Sequence, residues 1–367
     1  MAGSSFGTIF KISTWGESHG KGIGVVIDGC PAGLSLCEAD IQKFLDRRRP
    51  GQSRFTTPRK ETDAVEILSG IFDGQTTGTP ISLFVRNENQ ISKDYSGIAS
   101  YFRPGHADYT FHAKYGFRDY RGGGRSSGRE TIGRVAAGAV ASKILSEMGI
   151  SILTYTRSIG PVAISPDRFD PDEICSNAFF MPDSAAAAKA QDYLERCMQE
   201  QDSSGGTIEC VITGMPAGIG ETVFEKLDAN LAKAMLSIGA VKGFEIGSGF
   251  RAAEKKGSEN NDAFLTAPSG KITKKTNNAG GILGGMSDGD PIVFRAAIKP
   301  TPSIARTQQT IDTAGAPVDI SIAGRHDPVI VPRAVVVVES MAALVLADLL
   351  MLNLSARMDS LKKIYGD

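Results

Sequence analysis

Four stretches of the chain alternate between apolar and polar side chains, a pattern typical of half-buried β-strands. They are TIFKISTWG (8–16), PISLFVRNEN (80–89), GTIECVITG (206–214) and DPIVFRAAIKP (290–300). Helical patterns do not alternate with them in the regular rhythm of a doubly wound parallel sheet. We therefore predict a fold of the α/β class, of the α+β kind, with helices sandwiched against mainly antiparallel sheets.

Two further apolar segments belong at the centre of this fold. VAAGAVASKIL (135–145) has Ala or Gly on most faces, which allows close backbone approach and predicts a buried helix. AVVVVESMAALVLADLLML (334–352) resembles a membrane span, but Glu339 and Asp348 interrupt it. We interpret it as a buried strand or turn that leads into a core helix.

The chain also contains an internal repeat. Residues 25–45 and 210–235 each predict a strand, a Pro-Ala-Gly turn and a helix. A weaker similarity relates residues 124–145 to 324–350, where a Gly-Arg loop enters an apolar segment. The order of the two pairs predicts one domain, 1–367, built of two pseudo-symmetric halves at about 1–200 and 201–367. Loops that follow strands in both halves are then expected to meet at one central cleft.

Composition narrows the functional classes. The 367 residues are 41% hydrophobic, enough for a sizeable core, and the formal net charge of −1 provides no long-range field for nucleic acid or an anionic membrane. Any anionic ligand must therefore be bound by a local group of cations. The cysteines follow no metal-ligand spacing, so no metal is expected, and the first residues lack an apolar signal segment, which favours a cytoplasmic location.

Three of the four histidines lie in polar, glycine-containing loops. His19 occurs in WGESHGKG, His106 in RPGHAD and His326 in AGRHDP. A single histidine is more often structural than catalytic, but glycine flanks bring backbone close to a neighbour and leave the imidazole no apolar surface to pack against. We therefore expect His19 and His106 to perform acid–base chemistry.

Arginines crowd one stretch of the chain, residues 47–134, interleaved with Gly, Ser and Pro. They are Arg47, Arg48, Arg49, Arg54, Arg59, Arg103, Arg118, Arg121, Arg125, Arg129 and Arg134. About half could be solvated surface charges, yet the remainder still exceeds the need of one phosphate. Because guanidinium groups bind carboxylate and phosphate as bidentate forks, the group predicts a small ligand with several anionic groups. Nucleic acid is the alternative, but no nucleic-acid motif accompanies the arginines.

Four glycine- or proline-rich turns could present backbone amides to phosphate oxygens or to ring heteroatoms. They span residues 121–129, 237–243, 277–285 and 299–303. Neither a P-loop nor a dinucleotide-binding fingerprint is present. The residues alone thus indicate an enzyme for a polyanionic small molecule with a phosphorylated cofactor, without naming the reaction.

An ordered series of motifs resembles the chorismate synthases. GESHGKGIG, RPGHAD, GGRSSGRET, NNAGGILGG, KPTPS and AGRHDPVIVPR follow one another from Gly16 to Arg333. Departures are few: Gly128 stands where Ala is frequent, Gly239 where Asn is common, and Val336 where Pro is frequent. The resemblance implies a pseudo-duplicated β-α-β sandwich, a homotetramer, and reduced FMN as cofactor.

The resemblance also implies a reaction. It is the anti-1,4-elimination of phosphate from 5-enolpyruvylshikimate 3-phosphate, which gives chorismate without net redox change as the last step of the shikimate pathway. His19 resembles the residue that protonates the leaving phosphate, His106 the one that protonates reduced flavin, and Asp327 with Ser18 the pair that relays the C6 proton by way of the flavin.

The same resemblance implies two sets of binding residues. The flavin set is Arg125, Ser126, Ser127, Gly239, Ala240, Gly284, Lys299, Pro300, Thr301, Pro302, Ser303 and Arg325. The set for substrate or NADP anions is Arg48, Arg54, Arg129 and Arg134. NADPH is implied only as an indirect source of electrons, through an external flavin reductase, because the compact chain resembles members without their own reductase activity. A flavin-dependent oxidoreductase and a non-catalytic polyanion-binding module are the alternatives.

Overall fold

Two five-stranded antiparallel sheets enclose a layer of helices. The structure is a computed structural model that describes residues 3–56, 61–88, 97–322 and 327–366. All four alternating stretches form strands, and helices lie between the sheets, so the predicted fold class is confirmed.

The first sheet has the order β1-β2-β3-β7-β4. The elements of this part of the chain are β1 (Ser5–Phe6), β2 (Lys11–Gly16), β3 (Gly22–Asp28), α1 (Glu38–Arg48), β4 (Val65–Ser69), β5 (Ile71–Phe72), β6 (Gln75–Thr76), β7 (Ile81–Arg86), α2 (Asp108–Tyr115) and α3 (Thr131–Glu147). The short hairpin β5–β6 lies between β4 and β7 in the chain.

The second sheet has the order β11-β16-β10-β8-β9. Its part of the chain contains β8 (Ser151–Ile159), β9 (Val162–Ala163), α4 (Ser184–Gln199), β10 (Gly206–Thr213), α5 (Leu227–Leu236), β11 (Val241–Ile246), α6 (Gly257–Asn260), β12 (Phe264–Thr266), β13 (Ile272–Lys274), β14 (Ile282–Leu283), β15 (Met286–Ser287), β16 (Ile292–Ile298), β17 (Gln308–Ile311), β18 (Pro317–Ile320), α7 (Val331–Leu352) and α8 (Met358–Tyr365). The polar stretch 255–279 of this part of the chain contains α6 and the hairpin β12–β13.

The two sheets repeat one arrangement. The spatial order β2-β3-β7-β4 corresponds to β8-β10-β16-β11. In the chain, α1 follows β3 as α5 follows β10, and the hairpin β5–β6 precedes β7 as β14–β15 precedes β16. Because β8 already belongs to the second sheet, we propose that the second half begins near residue 151 rather than near residue 200.

Equivalent hydrogen bonds hold the turns after β3 and β10. Thr76 Oγ1 donates to the Pro31 carbonyl at 2.6 Å, and Ser287 Oγ donates to the Pro216 carbonyl at 2.6 Å. The same hydroxyls accept from the amides of Leu34 and Ile219, each at 2.9 Å. These matching bonds, formed by residues from distant parts of the chain, support the duplication.

Helices α3 and α7 form the centre and contact each other closely. A Cβ on Gly138 would lie 2.3 Å from Ser340 Cβ, so only glycine permits this approach. The run 334–352 is helical throughout, so the interpretation of its start as a strand or turn is wrong: burial on all sides overrides the strand preference of its valines. Val331–Ser355 is long and apolar enough to cross a membrane, but 89% of its most apolar window is buried in the protein, as expected for a core helix.

Candidate active site

A glycine turn brings His19 and His106 to the same place. Gly122 and Gly123 have φ values of +61° and +80°, in the left-handed region that favours glycine. A Cβ on Gly122 would lie 2.3 Å from His19 Cε1, and a Cβ on Gly123 would lie 3.5 Å from His106 Cε1. The two predicted acid–base residues therefore flank one turn that has no room for a side chain beside His19.

His19 lies on the loop that joins β2 to β3. Ser18 Oγ is 3.2 Å from His19 Nδ1 and donates to the Gly122 carbonyl, also at 3.2 Å. A hydroxyl has a single proton, so while Ser18 donates to this carbonyl it accepts from Nδ1. The histidine, the serine and the glycine turn thus form one hydrogen-bonded unit that fixes the orientation of the imidazole.

His106 is held differently, by a carboxylate and a guanidinium. Its Nδ1 lies 3.0 Å from Asp108 Oδ1 and 3.0 Å from Arg103 Nη2. Arg103 can only donate and Asp108 can accept, so either protonation state of the ring has a partner at Nδ1. Burial would raise the pKa of Asp108, but hydrogen bonds from Arg103 and His106 outweigh it and hold this pKa well below its usual range. Arg118 lies 3.0 Å from the same carboxylate.

The connection after β7 and its equivalent after β16 contact each other at this place. Lys299 Nζ donates to the Gly105 carbonyl at 3.0 Å, and Arg103 Nη1 donates to Ser303 Oγ at 3.5 Å. The Lys299 amide in turn donates to the Ala240 carbonyl at 2.9 Å. The 299–303 segment of the second half therefore packs against the His106 loop of the first half.

Two buried arginines share one carboxylate beside this region. Arg48 Nη2 donates to Asp63, and Arg129 Nη1 lies 3.2 Å from the other oxygen of Asp63. The Asp63 side chain is fully buried, and its backbone φ of +47° is unusual for a residue other than glycine. Burial would raise its pKa, but the charges of Arg48 and Arg129 outweigh that effect and lower it.

Asp327 is tied to the same region through Arg333. Arg333 Nη1 donates to Asp327 Oδ2 at 2.6 Å, and Arg333 Nε donates to the Arg48 carbonyl at 3.0 Å. Burial lowers the pKa of Arg333. Arg325 and His326 of the same motif lie outside the described residues.

Other predicted site residues have structural partners of their own. Arg54 pairs with Glu195 near the surface, and Gly284 lies in the turn between β14 and β15. Arg125 donates to Thr14 Oγ1 at 2.7 Å and to the Gly16 carbonyl at 3.1 Å, so it anchors the glycine turn to β2.

Ser126, Ser127 and Arg134 lie on the segment of chain that follows this turn. Arg134 binds Glu130 at 2.9 Å and Ser237 Oγ at 2.6 Å, two residues before Gly239. Ser126 Oγ donates to the Gly123 carbonyl at 2.7 Å, and Ser127 accepts from the Arg129 amide at 3.3 Å.

Several buried hydrogen-bond donors of the predicted binding residues are available to an anionic ligand. Arg48 Nε, Arg129 Nη2 and Thr301 Oγ1 have no hydrogen-bond partner among the residues that the structure describes. A buried donor without a partner is costly, and a bound phosphate or carboxylate would satisfy it. Burial and the nearby charge of Lys242 also lower the pKa of Lys299, which a bound phosphate would oppose. The residues present therefore fit a phosphate-bearing substrate and a phosphate-bearing cofactor such as FMN.

Three residues of the candidate site were not predicted from the sequence: Asp63, Asp108 and Asn87. Asp108 belongs to the RPGHAD motif, which was a usable signal. Asp63 and Asn87 lie outside the quoted motifs, and only their contacts with distant residues reveal them.

A sandwich of antiparallel sheets that brings two histidines and buried arginines together is the arrangement expected of an enzyme with acid–base chemistry on an anionic small molecule. A sequence profile described as chorismate synthase matches residues 10–351. The chain belongs to the chorismate synthase family, and its enzymatic class is therefore that of the lyases.

Individual relatives agree with this assignment. A chorismate synthase of Agathobacter rectalis is 67% identical over 365 residues, which cover 100% of this chain and 99% of the relative. One of Methanosarcina mazei is 56% identical and covers 95% of this chain and 96% of the relative. A crystal structure described as chorismate synthase is 33% identical with a TM-score of 0.77, covering 98% of this chain and 96% of its own.

Proposed function

We propose that this protein eliminates phosphate from 5-enolpyruvylshikimate 3-phosphate in the anti-1,4 sense and releases chorismate, with reduced FMN as cofactor and no net redox change. The observation that supports the proposal is the Gly122–Gly123 turn, against which His19 and His106 both lie, together with the contact of the 299–303 segment with the His106 loop. Family membership supports the reaction, and this geometry supports the choice of residues that we propose for it.

The arginines would bind the anionic groups of the substrate, which has one phosphate and two carboxylates. Arg48 and Arg129 each bind Asp63 with one nitrogen and retain another N–H that no described residue accepts. Charge-assisted hydrogen bonds from such N–H groups are among the strongest available to a protein. Arg54 and Arg134 complete the proposed set for substrate or NADP anions, after exchanging their present carboxylate partners for the ligand.

Reduced FMN would be held by two groups of residues. They are Arg125, Ser126 and Ser127 at the glycine turn, and Gly239, Ala240 and Lys299 to Ser303 in the second half, with Gly284 and Arg325 as further predicted contacts. When bound, reduced FMN supplies electron density that assists departure of the phosphate and regains it as the C6 hydrogen is lost. The Lys299 ammonium and the Thr301 hydroxyl suit the anionic and polar parts of such a cofactor.

The proton transfers would fall to the two histidines and to the Ser18–Asp327 pair. His19, oriented by Ser18, gives a proton to the departing phosphate. His106 moves a proton at Nε2, because Nδ1 is engaged by Arg103 and Asp108. Nε2 faces the glycine turn, where a Cβ on Gly123 would lie 3.8 Å from it. Asp327, held by Arg333, accepts the proton that leaves C6, with Ser18 as its relay partner.

The proposal extends to the protein's surroundings. We infer a homotetramer in the cytoplasm, supplied with reduced flavin by an external reductase that draws on NADPH. We propose neither nucleic acid nor a membrane as a partner of this protein.

Anaerobic turnover tests the function. Purified protein, chemically reduced FMN and 5-enolpyruvylshikimate 3-phosphate should give chorismate and phosphate in equal amounts while the flavin stays reduced. Flavin oxidation or NADPH consumption in proportion to product would instead indicate an oxidoreductase. Tight binding of both ligands without product would indicate a binding protein.

A further inference from the structure

Asn87 lies directly after β7 and contacts both the His19 loop and Arg129. Its Nδ2 donates to the carbonyls of Glu17 and Gly20, each at 2.9 Å, while its Oδ1 accepts from Arg129 Nε at 3.0 Å. The Asn87 backbone amide donates to the Lys21 carbonyl at 3.2 Å. One side chain thus joins both ends of the loop that carries Ser18 and His19 to an arginine of the buried anion-binding group.

The orientation of this amide follows from its neighbours. The two carbonyl oxygens on one side can only accept hydrogen bonds, and the guanidinium nitrogen on the other side can only donate one. A flipped amide would place its oxygen against two carbonyl oxygens and its NH₂ against Arg129. The amide can therefore serve both partners in only one orientation, which fixes the distance between the loop and the arginine.

Arg129 extends this connection further. Its Nη1 lies 3.2 Å from Asp63, which also binds Arg48, so the position of the His19 loop is linked to both buried arginines. We propose that Asn87 is a positioning residue: it couples the His19 loop to Arg129, so that the group that protonates the leaving phosphate is placed relative to the arginines that bind the substrate anions. This inference rests on the proposed function.

A change at Asn87 should act mainly on turnover. Asn87→Ala removes both side-chain links, and Asn87→Asp removes the two donors while keeping an acceptor for Arg129. Since both variants release the His19 loop, both should lose kcat by roughly the 100-fold that a displacement of about 1 Å can cause. An unchanged kcat in both variants would overturn the proposal.

Asn177 offers a matched control. It is also a half-buried asparagine whose Nδ2 donates to two carbonyls, those of Glu173 and Met181, each at 2.8 Å, and whose Oδ1 accepts from two amides. Asn177→Ala should lower the melting temperature at least as much as Asn87→Ala and leave kcat and KM unchanged. An equal loss of kcat in Asn177→Ala would show that general destabilisation explains the effect and would also overturn the proposal.

Nitrogen-15 spectra of the four histidines separate this inference from the proposed function. The His19 signals, identified by their loss in His19→Gln, should move in Asn87→Ala and stay in place in Asn177→Ala. This readout needs no turnover, so it remains decisive if the wild-type protein makes no chorismate. Unmoved His19 signals in Asn87→Ala would contradict the coupling.

Discussion

The two halves of the fold share their strand order and turn chemistry, but they differ in the connections between equivalent strands. β2 and β3 are joined by residues 17–21, which carry Ser18 and His19, whereas β8 and β10 are joined by residues 160–205, which contain β9 and α4. The Pro-Ala-Gly turns have nearly identical hydrogen bonds in both halves. Buried turn hydroxyls hold the duplicated scaffold, whereas the candidate acid–base residues lie in connections that differ in length and sequence between the halves.

The second difference concerns buried charge. The connection after β7 contains Arg103 and Asp108 in a buried ion pair, and the equivalent connection after β16 provides Lys299 and Ser303 to contact it. The two equivalent connections thus contact each other, but they contribute different side chains: the connection after β7 contributes His106, and the one after β16 contributes Lys299 and Ser303. The site is asymmetric although its scaffold is nearly symmetric.

The largest expected effect on turnover comes from removing either of the two candidate acid–base histidines. His19→Ala and His106→Ala should each lower kcat by at least about 100-fold, because positioned acid–base groups typically contribute that much. Binding of substrate and FMN, followed by calorimetry, should change little. Full activity in both variants would refute the assigned roles.

A smaller effect on turnover, but a large one on stability, is expected at Asp108. Asp108→Asn leaves Arg103 and Arg118 without their buried counter-charge, which should cost about 3–5 kcal/mol of unfolding free energy at neutral pH. Urea unfolding at several pH values measures it.

The pH dependence of this loss has a defined sign. Because the pKa of Asp108 is lower in the folded state, its stabilisation is complete above the unfolded pKa near 3.9 and is lost as the pH falls toward the folded value. The gap between wild type and Asp108→Asn should therefore narrow in acid. A gap that widens below pH 4 would contradict this assignment.

The smallest effects test the symmetry of the scaffold. Thr76→Val and Ser287→Ala each remove the hydroxyl that serves a Pro carbonyl and a following amide. Each should lose about 1–3 kcal/mol of unfolding free energy, since buried backbone groups are left unsatisfied, with kcat unchanged. Strongly unequal losses would show that the two turns are not energetically equivalent.

Much of the fold could be predicted from local patterns. Period-two alternation identified β2, β7, β10 and β16, and the repeated Pro-Ala-Gly turn pointed to the duplication. The helical start of α7 could not be predicted in this way, because its four consecutive valines favour a strand and only burial between the sheets decides otherwise. Local patterns reflect only residues that are near in the sequence, whereas the helical conformation of α7 depends on its contacts with residues far away in the sequence.

The site was predictable to a similar extent. Glycine flanks pointed to His19 and His106, which the structure places at one turn. Asp63 and Asn87 escaped notice because their importance comes from partners far away in the chain: 66 positions separate Asp63 from Arg129, and 42 separate Asn87 from it. No spacing rule in a single sequence predicts such contacts.

The most direct test of the account replaces Gly122, the residue on which the two histidines converge. In Gly122→Ala the new Cβ would lie 2.3 Å from His19, whereas in the control Gly74→Ala a residue with φ +73° gains a Cβ with nothing within 4 Å. Both variants bear the left-handed strain of about 1 kcal/mol. Gly122→Ala should remain folded but lose kcat by roughly 100-fold, because the displaced imidazole no longer meets the substrate in the productive geometry, while Gly74→Ala should keep its kcat. Equal kcat in the two variants would contradict the placement of the active site at this turn.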